Sequence, residues 1–134
     1  MIKSTRNSHA TAMNPYQGSS KRVLTVCTAG VLRSQSTARV LGEMYGYNTR
    51  SCGIDETYSL IPISTALVEW AKEIVFVHDE VYKYTLVSAP NDDVKKMLVL
   101  KSIVLDIPDQ YEYMSEKLQK LIKEQYQDAI KKKE

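Results

Sequence analysis

The segment that decides the fold reads Cys27-Thr28-Ala29-Gly30-Val31-Leu32-Arg33-Ser34. It follows an apolar, β-rich stretch at residues 23–26 that does not alternate with polar residues, which is typical of a strand buried on both faces of a parallel sheet. After it, apolar residues recur at helical spacing over residues 34–47, and Gly46 supplies a helix stop. The sequence therefore predicts a strand, a short loop and a helix in direct succession.

The same alternation of strands and helices continues along the chain. Strands are predicted at residues 49–52, 74–77 and 102–105, and helices at 64–71 with Ser64 as N-cap, at 80–87 and from about residue 115 onward. A polar turn at residues 91–93 is followed by a short helical or irregular segment. This order predicts a three-layer α/β/α fold with a four-stranded parallel sheet, which binds ligands at the carboxyl ends of its strands.

The chain has 134 residues, of which 43% are hydrophobic and 25% charged, as expected for one soluble globular domain. Residues 1–20 offer little apolar surface, so we interpret them as a flexible arm before a domain at residues 21–134. Residues 1–22 hold four basic side chains and no acidic one, whereas the rest has 14 basic and 16 acidic. Because the basic surplus lies in the arm and not on the folded surface, nucleic-acid binding is disfavoured.

The chain also lacks the sequence features of membrane and secreted proteins. Its apolar runs are far shorter than the ~20 residues that span a bilayer. The N-terminus has no apolar segment typical of a secretory signal, and two cysteines do not make a disulfide framework. We expect a cytoplasmic, monomeric protein that does not bind membranes.

The loop at residues 27–34 has the composition of a phosphate-binding site. A loop of this length can turn its backbone N–H groups inward as an anion-binding nest, to which the next helix adds its positive N-terminal end. Gly30 adopts backbone geometry that a Cβ would resist, and Arg33 can give two parallel hydrogen bonds to phosphate oxygens. Besides Arg33, the residues predicted to surround the phosphate are Thr28, Ala29, Gly30, Val31, Leu32 and Ser34.

Cys27 lies at the bottom of this loop, where the nest, the helix end and Arg33 all favour its thiolate form. A thiolate beneath a bound phosphate is a nucleophile directed at phosphorus. The Ser34 hydroxyl can donate its hydrogen to the sulfur and help it leave in a second step. The alternative interpretation treats Cys27 as a small buried hydrophobe and Arg33 as a surface residue.

With these residues in place, the sequence after Lys21 resembles the low-molecular-weight protein tyrosine phosphatases. The Cys-x5-Arg-Ser loop is the main match, and the other matching segments follow in the same order: Ser51-Cys52-Gly53, Ile61-Pro62-Ile63-Ser64, Val77-His78-Asp79-Glu80 and Ile107-Pro108-Asp109-Gln110-Tyr111. The resemblance implies that Cys27 is the nucleophile, that Arg33 holds the phosphate and that Asp109 is the general acid.

The sequence departs from the family pattern at several positions of the loop. Gly30 replaces an asparagine that props the loop, and Leu32 replaces a second cysteine. Gln35 and Gln110 stand where the family has prolines. Val31 is aliphatic, as in the tyrosine phosphatases, whereas relatives that act on phosphoarginine carry threonine there, and this favours phosphotyrosine as substrate.

Two carboxylates compete for the role of general acid. Asp109 follows the fourth predicted strand and is placed to reach over the loop, whereas Asp106 is either the acid or a residue that caps the end of this strand. Tyr111 beside Asp109 either forms an aromatic wall for a phenyl ring or packs against the core. Cys52 either packs in the core or forms a reversible disulfide with Cys27.

Taken together, these residues predict a phosphomonoester hydrolase, most specifically a protein tyrosine phosphatase that works through a phosphocysteine. Its substrate would be a phosphotyrosine protein or a small aryl phosphate, and the chemistry needs neither a metal nor a cofactor. One alternative is an arsenate reductase of the same fold, for which Cys52 is the only thiol relay. The other is a catalytically weak phosphate- or phosphopeptide-binding module.

Overall fold

The computed structural model describes residues 20–28, 32–55, 59, 61–108 and 110–133. Most of the predicted arm therefore lies outside the described residues. Over the described part the chain forms, in order, β1 (Arg22–Cys27), α1 (Leu32–Tyr45), β2 (Asn48–Gly53), α2 (Thr65–Trp70), β3 (Glu73–Phe76), α3 (Asp79–Val87), α4 (Asp92–Lys101), β4 (Ser102–Val104) and α5 (Glu116–Lys133).

The four strands form one parallel sheet in the order β2-β1-β3-β4. The register pairs Cys27 with Gly53, and it pairs Val26 with Cys52 on one side and with Phe76 on the other. All four carboxyl ends therefore lie at the same edge of the sheet. The predicted α/β fold with a four-stranded parallel sheet is confirmed.

Helices cover both faces of this sheet. One face, which includes Thr25 and Thr49, packs against α1, and α1 in turn packs against α5. The opposite face contacts α2, α3 and α4, as in the edge-to-face packing of Phe76 on Tyr82. Because side chains alternate along a strand, residues next to each other in β1 face different helix layers.

The local signals for helix ends are confirmed at two positions. Ser64 is the N-cap of α2 and its Oγ accepts a hydrogen bond from the Leu67 N–H at 3.3 Å. Gly46 follows α1 with a φ of 71°, the left-handed backbone that glycine adopts without steric cost.

One segment is more regular than its sequence indicated. Residues 92–101 form the ten-residue helix α4, which begins after the N-cap Asn91, whose Oδ1 accepts from the Val94 N–H at 3.0 Å. Val94 and Leu98 are buried, but Leu100 is exposed, and this exposed apolar residue obscured the helical period. No helix in the described part is long and apolar enough to cross a bilayer.

Candidate functional site

Cys27 and Ser34 meet at the carboxyl end of β1. Cys27 is 3% exposed and Ser34 is fully buried. The Cys27 thiol donates a hydrogen bond to Ser34 Oγ at 3.1 Å. When the sulfur is deprotonated, the only hydrogen left for this contact is that of the Ser34 hydroxyl, so the direction of the bond reverses. The contact predicted between the two side chains is thus present.

Buried hydroxyls hold the backbone at the start of α1. Thr25 Oγ1 donates to the Ser34 carbonyl at 2.7 Å and lies 3.3 Å from the Arg50 carbonyl, so it joins α1 to β1 and β2. Thr37 Oγ1 donates to the Arg33 carbonyl at 2.7 Å. The sequence pattern did not single out Thr25, although a threonine within an apolar buried strand is a signal for such a role.

Arg33 connects the loop after β1 to the segment after β4. Its Nη1 donates to the Ile107 carbonyl at 3.0 Å, and the Ile107 N–H donates to the Val77 carbonyl at 2.8 Å. Arg33 is half-buried, so it is not the fully exposed surface residue of the alternative interpretation. The guanidinium therefore lies where the chain ends of β1, β3 and β4 come together.

The segment after β2 forms the other side of the site. The Ile54 N–H donates to the Cys27 carbonyl at 3.0 Å, and the Asp55 N–H donates to the Thr28 carbonyl at 2.8 Å. Ser59 Oγ adds a hydrogen bond to the same Thr28 carbonyl at 3.3 Å. These contacts fix the backbone at the point where it leaves β1.

Several predicted site residues are only partly described. Thr28 is exposed, and Leu32 is the first residue of α1. Tyr111 is half-buried and packs against the core, which is one of the two interpretations drawn from the sequence. The predicted residues that lie outside the described part of the chain are Ala29, Gly30, Val31 and Asp109.

Asp106 lies at the outer edge of β4. Its carboxylate is 86% exposed, and Oδ1 lies 3.4 Å from His78 Nε2. Its backbone N–H donates to Gln125 Oε1 at 2.6 Å, and Gln125 Nε2 donates back to its carbonyl at 2.8 Å. Because β3 lies between β4 and β1, Asp106 lies two strands away from Cys27 along the same edge of the sheet.

Cys52 occupies the opposite face of the sheet from Cys27. It pairs with Val26, whereas Cys27 pairs with Gly53, so the pleat directs the two cysteine side chains to different helix layers. Neither Cys27 nor Cys52 forms a disulfide. Burial, and secondarily the nearby Cys27, raise the pKa of Cys52 well above its ordinary value. This register disfavours the disulfide considered from the sequence, because a disulfide needs Cβ atoms about 3.5–4.5 Å apart.

Comparison with solved structures assigns the fold. Wzb of Vibrio vulnificus, solved with benzylphosphonate, superposes with a TM-score of 0.63 and 20% identity, covering 84% of this chain and 99% of its own. The low-molecular-weight protein tyrosine phosphatase from T. tengcongensis superposes with a TM-score of 0.57 and 16% identity, covering 86% of this chain and 100% of its own. The fold is that of the low-molecular-weight protein tyrosine phosphatases.

The same phosphatase fold includes an enzyme for a different phosphorylated residue. The YwlE arginine phosphatase from Geobacillus stearothermophilus superposes with a TM-score of 0.59 and 17% identity, covering 84% of this chain and 92% of its own. No protein-family model matches the chain, and comparison with curated proteins gives no significant match. Function must therefore be argued from the residues of the site.

Proposed function

We propose that the protein is a phosphomonoester hydrolase, specifically a protein tyrosine phosphatase with Cys27 as nucleophile. The observation that carries the proposal is the grouping at the carboxyl edge of the sheet. There the Cys27 sulfur contacts the Ser34 hydroxyl at 3.1 Å, and Arg33, the residue before Ser34, binds the Ile107 carbonyl at 3.0 Å. A nucleophile, a phosphate-binding cation and the segment leading to Asp109 are thereby combined in one place.

In the first step, the Cys27 thiolate attacks the phosphorus of an aryl phosphate. The S–P bond forms as the P–O bond to the phenol breaks, and the carboxylic acid of Asp109 gives its proton to the departing phenolate oxygen. Arg33 and the backbone N–H groups of residues 28–34 bind the phosphoryl oxygens and stabilise their charge in the transition state. The products are a phenol and a phosphocysteine.

In the second step, water hydrolyses the phosphocysteine. The Asp109 carboxylate takes a proton from the water while the water oxygen bonds to phosphorus. The S–P bond breaks, and Cys27 leaves as a thiolate that accepts a hydrogen bond from the Ser34 hydroxyl. Inorganic phosphate is released, and the starting protonation states of Cys27 and Asp109 are restored without a metal or a cofactor.

Asp109 is a better candidate for this acid than Asp106. The Arg33 hydrogen bond brings residue 107 to the site, and Asp109 follows two positions later. Asp106 instead has its backbone bound to Gln125 and its carboxylate exposed near His78, at the outer edge of β4. Tyr111, two positions after Asp109, packs against the core but is only half-buried, so the exposed part of its ring is the proposed contact for a planar phenyl ring.

We infer phosphotyrosine proteins or small aryl phosphates as substrates, since Val31 is aliphatic. The likeness to an arginine phosphatase makes phosphoarginine the relevant competitor, and turnover of matched phosphotyrosine and phosphoarginine peptides distinguishes the two. The arsenate reductase alternative loses support, because Cys52 is fully buried on the face opposite Cys27 and is badly placed as a relay.

The proposal is tested by hydrolysis of p-nitrophenyl phosphate in the presence of a metal chelator. We expect turnover that vanadate blocks and that Cys27→Ser lowers by about 10³-fold or more, because the nucleophile is removed. Cys52→Ala is the matched control and should retain activity. If the folded wild-type protein hydrolyses no aryl phosphate, the proposal is wrong and a phosphate-binding module becomes the better interpretation.

A further inference from the structure

The segment that joins β4 to α5 contains a strained residue, Met114. Its φ is 56°, and it is the only non-glycine residue with positive φ in the described part of the chain. A side chain with a Cβ resists this left-handed backbone, so such a conformation persists only when surrounding contacts hold it. Strain of this kind is a reason to look for a function of the segment.

Two helices hold the backbone of Met114. Its N–H donates to Ser36 Oγ of α1 at 3.0 Å, and its carbonyl accepts from Gln119 Nε2 of α5 at 2.7 Å. Ser36 is fully buried and lies three positions after Arg33. Side chains therefore bind both the N–H and the carbonyl of Met114. The contact with Ser36 joins residues 78 positions apart, so it depends on how α1 packs in the tertiary structure.

The other end of the same segment is bound to the same helix. Arg33 Nη1 of α1 donates to the Ile107 carbonyl at 3.0 Å. Arg39, six residues further along α1, donates from Nη1 to the Tyr113 hydroxyl at 3.4 Å. Helix α1 thus contacts the segment at Ile107 and again at residues 113–114, and Asp109 lies between these two points in the sequence.

We propose that Ser36 and Gln119 are positioning residues for the general acid. By holding Met114 in its left-handed conformation, they fix the C-terminal end of the acid-bearing segment relative to α1, the helix that carries Arg33. Proton transfer to the leaving group requires the acid within hydrogen-bond reach of the bridging oxygen, so a displaced segment slows this transfer first. The inference rests on the proposed phosphatase function.

The experiment compares two substrates that depend differently on the acid. Phenyl phosphate releases a poorly stabilised phenolate and needs the proton, whereas p-nitrophenyl phosphate releases a well-stabilised one and needs it much less. For Ser36→Ala we expect kcat/KM, which reports the steps up to release of the phenol, to fall about tenfold on phenyl phosphate and less than about twofold on p-nitrophenyl phosphate. Ser36→Thr, which keeps the hydroxyl, should restore the wild-type ratio of the two rates.

Gln119→Ala gives a second, independent variant, because Gln119 is only half-buried and its truncation is easily accommodated. It should reproduce the selective loss on phenyl phosphate. The matched control is Thr85→Ala, which deletes another buried hydroxyl, one that donates to the Val81 carbonyl within α3 at 2.8 Å. This control should leave the ratio of the two rates unchanged.

The outcomes separate this inference from the proposed function. If the wild-type protein hydrolyses both substrates but Ser36→Ala and Gln119→Ala slow them equally or not at all, the positioning role is overturned and the phosphatase proposal stands. If the wild-type protein hydrolyses neither substrate, the proposed function fails, and the positioning role fails with it.

Discussion

The two ends of the parallel sheet both bury polar side chains, but they satisfy them differently. At the amino end, the carboxylate of Glu73 on β3 is 7% exposed; its Oε2 lies 2.8 Å from Lys21 Nζ, and its Oε1 accepts from the Tyr126 hydroxyl at 2.5 Å. At the carboxyl end, the Thr25 hydroxyl binds the Ser34 carbonyl in the first turn of α1, and the Ser36 hydroxyl binds the N–H of Met114 in the segment after β4. The polar groups at the amino end bind other side chains, whereas those at the carboxyl end bind the backbone.

This difference distinguishes the amino end of the sheet from the carboxyl end, where the proposed active site lies. Burial, and then the hydrogen bond to Glu73, raise the pKa of Tyr126, so this phenol stays neutral and holds α5 against the sheet. The carboxyl end has the start of α1, and the N-terminal end of a helix attracts anions through its backbone N–H groups and its dipole. Changes at the two ends should therefore affect activity and stability separately.

The largest effect should come from Asp109→Asn at the carboxyl end. The amide cannot supply the proton, so we expect kcat/KM on phenyl phosphate to fall about 10²-fold or more, and on p-nitrophenyl phosphate by less than about tenfold. Steady-state rates on the two substrates measure this, and thermal unfolding should be nearly unchanged. Equal losses on both substrates would argue against Asp109 as the acid.

The next effect belongs to Tyr126→Phe at the amino end. The substitution keeps the ring, which packs edge-to-face on Tyr45 with centroids 5.4 Å apart, but leaves Glu73 Oε1 without its donor. We expect the free energy of unfolding to fall by about 2 kcal/mol, the typical cost of an unsatisfied buried acceptor. Urea unfolding measures it, while kcat should stay within about twofold. A large loss of activity would contradict the separation of the two ends.

The smallest effect concerns the pH dependence of stability through Cys52. Because its pKa is raised in the folded protein, the unfolded chain loses this proton first as pH rises, and stability present below the unfolded thiol pKa of about 8.5 is lost above it. At pH 9.5 the protein should be less stable than at pH 7, by on the order of 1 kcal/mol from this thiol. Urea unfolding of Cys52→Ala should show a correspondingly flatter alkaline decline, and parallel pH curves for both proteins would exclude the effect.

Most of the fold was predictable because its signals are local. A few neighbouring residues are enough to recognise the continuous apolar strand before Cys27, and the same holds for the N-cap at Ser64. The structure contains both features where they were predicted. Helix α4 was predicted only as a short helical or irregular segment. Its core-facing side is narrow, so the exposed Val99 and Leu100 weakened the pattern.

The candidate site was predictable only in part. Cys27, Arg33 and Ser34 are close in sequence, and the structure brings Cys27 and Ser34 into contact as expected. Ser36 gave no sequence signal for its contact, because its partner Met114 is 78 positions away. Contacts over such separations depend on how the helices pack, which a single sequence does not display.

The sequence by itself determined the order of strands and helices and the position of the Cys-x5-Arg-Ser segment between the first strand and the first helix, since both follow from propensity, periodicity and residue spacing along the chain. Only the tertiary structure decided which face of the sheet holds Cys52, because a shift of one position in strand register moves a side chain to the opposite face. It likewise decided that Arg33 and Ser36 hold both ends of the segment around Asp109, since these hydrogen bonds form only after distant elements have packed together.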